Sequence, residues 1–130
     1  MPARSEISVS EQIKRVPSAV RPIVQAARRT VKAIAPNARE VAYQSQPPRS
    51  SSAMWKLVRY AVGDEYVVAI GTFPDHSTLF FYRGRELDDG SGLLQGSGKH
   101  LRSITLRAPS DAVRPAVKRV VRKAFTLAGS

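Results

Sequence analysis

The residues best equipped for ligand chemistry gather in one glycine-rich stretch, Gly96-Ser97-Gly98-Lys99-His100-Leu101-Arg102. Its backbone N–H groups and positive charges suit an anion. Register excludes the two common phosphate cradles. A P-loop needs Gly, four residues, then Gly-Lys-Ser/Thr; here Gly98-Lys99 is followed by His100, and Leu93 stands where the first Gly belongs. The dinucleotide fingerprint likewise finds Leu101 in place of its third Gly. Gly96, Gly98, Lys99 and Arg102 therefore remain as a candidate anion-binding loop. Metal chemistry has little to work with, since Asp75-His76 and Asp88-Asp89 are adjacent pairs rather than spaced ligand arrays. The chain contains no Cys, which excludes disulfides, cysteine-ligated zinc and cysteine nucleophiles. No Gly-x-Ser-x-Gly elbow supports a serine hydrolase. No catalytic residue and no metal ligand is assigned.

Aromatic residues supply the other chemistry. The stretches 66–70 and 79–82 are apolar on both alternating phases, so their strands are expected to be covered on two sides. Helices provide one cover; the loop 45–53, a second subunit or a ligand provides the other. Tyr43, Trp55 and Tyr82 are candidates to line a pocket there.

The elements that must hold these residues follow from periodicity. Val20, Ile23, Val24, Ala27, Val31 and Ile34 form one apolar helical stripe, with Ser18 as candidate N-cap and Ala35-Pro36-Asn37 as the stop. A second stripe runs through Val113, Ala116, Val117, Val120, Val121, Ala124 and Phe125, capped by Ser110 or Asp111. A weaker turn over residues 10–15 has Ile13 as its anchor. Between the helices, strands are expected over 40–44, 54–62, 65–73, 78–83 and 101–107, with Gly63-Asp64 as a two-residue hairpin. The expected fold is α+β: a five-stranded, mainly antiparallel sheet flanked by N- and C-terminal helices. Residues 16–128 form the domain, behind an N-terminal segment of residues 1–15 that holds the short helical turn.

Charge is distributed unevenly. The chain of 130 residues carries +11; residues 1–39 hold 8 basic and 2 acidic groups, 101–130 hold 7 and 1, and the middle holds 6 and 7. The excess is helical. Arg21, Arg28, Arg29, Lys32, Arg114, Lys118, Arg119, Arg122 and Lys123 are expected to form one continuous basic face if both helices lie on one side of the sheet. Such a face attracts phosphate backbones, anionic lipid or an acidic protein. No zinc finger, basic zipper or RNP-type strand is present, so nucleic-acid binding here would be weak and non-specific. No apolar run approaches the ~20 residues of a membrane span, and the opening residues do not resemble a secretory leader. A cytoplasmic location without membrane partners is the expectation.

The run Phe80-Phe81-Tyr82-Arg83-Gly84, followed by Leu93-Leu94-Gln95-Gly96-Ser97-Gly98-Lys99-His100-Leu101-Arg102, resembles the "F-Y-x-G … L-L-x-G-x-G-K-x-x-R" signature of YdhG-like domains. Residues 35–41 resemble the same family's "P-x-A-x-E-x-I" junction, and the likeness spans roughly residues 16–125. The resemblance implies an α+β sandwich of terminal helices around a five-stranded antiparallel sheet. It also draws attention to His76, which stands where many members have a His before the Phe-Tyr strand. Most members have no assigned function; one branch is described as a frataxin-like iron chaperone, which would make iron the cargo. That branch relies on clustered carboxylates, whereas no acidic residue lies between Glu11 and Glu40, and Tyr43-Gln44 replaces the family's Tyr-Gly. The expectation is a non-enzymatic binding module, with an unknown protein or a small anionic ligand as partner and a homodimer through the sheet face as one arrangement.

Overall fold

The computed structural model describes residues 8–50 and 52–129. Residues 1–7, the beginning of the N-terminal segment, lie outside the described residues.

Three longer segments of apolar spacing become helices. α1 spans Val9–Lys14, with Ser8 as its N-cap accepting from the Glu11 N–H at 3.1 Å. Its anchor is polar as well as apolar: Gln12, fully buried, donates through Nε2 to the carbonyls of Gln44 at 2.9 Å and Leu57 at 2.7 Å. α2 spans Arg21–Ile34 and buries Ile23, Val24, Ala27 and Val31, each large aliphatic contributing roughly 1.5–3 kcal/mol. Ser18 does not cap it. The N-cap is Val20, reached through a turn in which the Val20 and Arg21 N–H groups donate to the Pro17 carbonyl. Pro22 then occupies the first turn, where its missing N–H leaves no bond unmade.

The C-terminal stripe is split in two. A 3₁₀ turn, Pro109–Val113, precedes α4, Pro115–Leu127. Pro115 forces Arg114 out of the helical region, to ψ 137°, so the two pieces cannot be continuous. Neither Ser110 nor Asp111 caps α4, whose N-cap is Arg114 without a side-chain bond; Asp111 instead secures the 3₁₀ turn, its Oδ2 accepting from the N–H groups of Arg107 at 2.8 Å and Ala108 at 3.2 Å.

Five strands form the sheet: β1 Arg39–Ala42, β2 Trp55–Val62, β3 Glu65–Thr72, β4 Ser77–Phe81 and β5 Arg102–Leu106. Their spatial order equals their chain order and every pair is antiparallel. At the β2–β3 hairpin Gly63 has φ 59° and Asp64 a negative φ, as in a type II′ turn. The expected architecture is thus observed, with one addition: α3, Gly84–Leu87, a single turn inside the glycine-rich region.

α2 and α4 both pack on β3 from the same side. Val58, Tyr60, Val68, Ile70, Leu79, Phe81, Ile104 and Leu106 meet them in one core that also contains Val9 and Ile13 of α1. The two ends of the domain are clasped by the Thr30 hydroxyl, which donates to the Ala112 carbonyl at 2.9 Å. At the β1 edge Glu40 receives Arg28 Nε at 2.8 Å, Arg28 Nη2 at 2.9 Å and the Tyr60 hydroxyl at 2.7 Å.

Candidate functional site

Among the described residues, the opposite face of the sheet carries no helix. Alternation along paired strands sends Val41, Arg59, Ala69 and Phe80 to that face, in register across β1 to β4. A bulge between Lys56 and Val58 also turns Lys56 outward, against Gly71. Gly71 matters there: a Cβ would stand 2.5 Å from the Met54 sulfur, so its absence lets Met54 lie across the sheet.

Arg59 organises the face. Its guanidinium sits 4.2 Å from the Tyr43 ring centroid and 4.1 Å from that of Tyr66, a cation bracketed by two aromatic rings. Lys56 approaches the Tyr43 ring at 5.7 Å, and Tyr66 lies 6.2 Å from Tyr82 with the rings tilted by 41°. Arg59 makes no ion pair among the described residues, and its Nε is buried without a hydrogen-bond partner. Burial pushes the Tyr82 phenol up to about 12; the Tyr43 hydroxyl adds to the rise and Arg59 opposes it. Beside this cluster is a depression of about 160 Å³ lined by Tyr43, Met54, Lys56, Ala69, Phe80, Tyr82 and Leu101. Among the described residues no carboxylate lines it.

Of the aromatic residues singled out by type, Tyr43 and Tyr82 meet here and Trp55 does not. Trp55 pairs with Thr72, on the helix side of the sheet, where it is 4% exposed. Its Nε1 donates to the Gln44 carbonyl at 2.8 Å, and the Arg15 guanidinium lies 5.7 Å from its ring. His76 is also elsewhere, in the β3–β4 turn, stacked on Phe73 at 4.5 Å with Nδ1 2.6 Å from Asp75 Oδ1. That hydrogen bond holds the Asp75 carboxyl below its usual range. Arg59 and Lys56 are not singled out by sequence, and Tyr66 and Phe80 stand out only as members of two strands apolar on both phases; the available signal is Arg59 itself, a charge in the middle of an apolar strand.

The glycine-rich loop is held by its own arginine. Arg102 Nη1 donates to the carbonyls of Gly98 at 2.6 Å and Leu101 at 2.9 Å, and its Nε lies 3.6 Å from Asp88. Gly96, at φ 124°, and Gly98 shape a turn around that side chain, while Lys99 is exposed. Arg102 thus closes the loop instead of facing an incoming anion. The neighbouring acids are engaged too: Glu86 with Arg83 at 2.8 Å, Asp88 with the Gly90 N–H and Asp89 with the Ser91 N–H, each at 2.9 Å. Among the described residues no three His, Asp or Glu side chains come together to hold a metal ion.

The basic helices share a side of the sheet, but their cations part ways. Arg28 is bound to Glu40 of β1 and Lys32 lies 3.8 Å from it, Arg21 donates to the Val16 carbonyl, and Arg29 is exposed. Arg114, Lys118, Arg119, Arg122 and Lys123 make no ion pair among the described residues. Four of them, all but Lys118, line a groove reaching β5, the opposite edge strand. Among the described residues no helix is long and apolar enough to cross a membrane. No protein-family model, curated protein or solved structure matches this chain.

Proposed function

We propose that this chain is a non-catalytic binding module of the YdhG-like type, and that the helix-free face of its sheet takes a small flat anion. The observation that carries this reading is the Arg59 guanidinium bracketed by Tyr43 and Tyr66, beside a carboxylate-free depression that also holds Lys56. A ring resting on Phe80 and Tyr82 would place its acid group toward these cations. At about 160 Å³ the depression lies below the ~300 Å³ at which drug-sized sites begin, so it accommodates one ring rather than a whole nucleotide. The lining offers no Ser, His, Asp or Glu for acid–base or nucleophilic work, and Tyr82, with its proton firmly held, is a poor base. Both features support binding over turnover.

Benzoate tests the reading against two near neighbours, neutral benzamide and non-planar cyclohexanecarboxylate, by NMR titration of the full chain. About nine heavy atoms at roughly 0.5 kcal/mol each give benzoate a Kd of about 1 mM. Benzoate should bind at least about tenfold tighter than either analogue, shift the resonances of Tyr43 and Tyr82, and lose that advantage in Arg59→Gln. Equal binding of all three probes, or shifts confined to other regions, would refute it.

A further inference from the structure

A second concavity lies on the other side of the molecule. A groove of about 920 Å³ runs between α4 and residues 89–95. Leu93, Ala116 and Val120, each only partly buried, give it an apolar lining. Along the α4 wall stand Arg114, Arg119, Arg122 and Lys123, all exposed. The lining contains one carboxylate, Asp89, whose Oδ1 already accepts from the Ser91 N–H.

We propose that this groove docks an acidic segment of another protein, one that carries apolar side chains among its carboxylates. Charge argues for the acid. Four cations line a wall about 18 Å long at 1.5 Å per residue, and no ion pair among the described residues relieves them. They also repel one another, because Arg119 and Lys123 are four residues apart and Arg119 and Arg122 three. A docked carboxylate removes that repulsion and steers the encounter. The lining argues for the apolar side chains: the half-exposed Leu93, Ala116 and Val120 offer burial that a bare polyphosphate cannot use. Nucleic acid fits less well, since among the described residues no aromatic side chain lines the groove to stack a base. This surface is separate from the benzoate-sized depression on the sheet, so either proposal can fail without the other.

Fluorescence anisotropy on the full chain provides the test. The probes are a labelled peptide of about 16 residues patterned with Leu among Glu, a control peptide with Ser in place of every Leu, and a single-stranded DNA of about equal charge. The patterned peptide should bind at least about tenfold tighter than both others at physiological salt. The double variant Arg119→Glu, Arg122→Glu should weaken it by at least about 30-fold, and Arg29→Glu on α2 by less than about twofold. Both variants alter exposed side chains, and circular dichroism verifies that they remain folded. Equal binding of the patterned and control peptides, tighter binding of the DNA, or indifference to the α4 double variant would each overturn the proposal.

Discussion

Glu40 sets how the protein meets acid. Burial alone would raise its carboxyl, but hydrogen bonds from Arg28 and Tyr60 outweigh that and hold it below its ordinary 4.5. A carboxyl lowered in the folded state stabilises the protein above its unfolded value, and that contribution disappears as pH falls through the folded value. Glu40→Gln should therefore cost about 2–3 kcal/mol at pH 7 and progressively less as the pH falls below 4.5, read from urea midpoints across that range. Arg59 makes a second residue-scale test. Since it opposes the rise of the Tyr82 phenol, Arg59→Gln should move that phenol further above about 12, followed by tyrosinate absorbance. Residue types alone pointed to Tyr43 and Tyr82. Trp55 was misplaced because strict alternation puts it on the face of Arg59, and the bulge between Lys56 and Val58 changes the phase. No count of spacings reveals a bulge.

At the scale of elements, two glycines predict opposite tolerances. A Cβ on Gly84 would meet the Arg102 backbone nitrogen at 2.5 Å, and backbone cannot swing away. Gly84→Ala should cost about 2–3 kcal/mol and loosen the junction between α3 and β5. Gly71→Ala meets only the flexible Met54 side chain, so its cost should stay under about 1 kcal/mol while the depression on the sheet changes shape. Urea denaturation of both variants checks the contrast. The five strands were legible to within two residues at each end, because alternating apolar residues and turn signals agree along the chain. The helix starts were not. Ser18 is a good cap by type, yet the turn at Pro17 carries the chain past it, and Pro115 divides what periodicity joins. α3 leaves no trace in the sequence pattern because four residues are too few to show a period.

For the whole molecule, the alkaline limit mirrors the acid one. Tyr60 and Tyr82 both have phenols raised above their usual 10.0, first by burial and then by Glu40 and Tyr43 respectively. A raised phenol stabilises the fold below its unfolded value, and the contribution is lost as pH climbs through the folded one. Thermal melting temperatures should therefore fall between about pH 10 and 12, and less steeply in the double variant Tyr60→Phe, Tyr82→Phe. Charge partition read from the sequence located the cations correctly on the helices but not their partners. One carboxylate, Glu40, was enough to draw Arg28 and Lys32 away from a shared surface. Composition cannot show such pairing, because it depends on which strand edge a helix faces.

The meander order of the strands has a kinetic side. Each strand pairs with its neighbours in sequence, so hairpins can zip one after another without waiting for a distant segment. The expensive closure is that between Thr30 and Ala112, 82 residues apart, and its entropy is lost only when the helices dock. Refolding should show the sheet's hairpins gaining amide protection before the α2 clasp, and on a nascent chain the part of the sheet's hydrophobic side that α4 covers would remain bare until that last helix emerges.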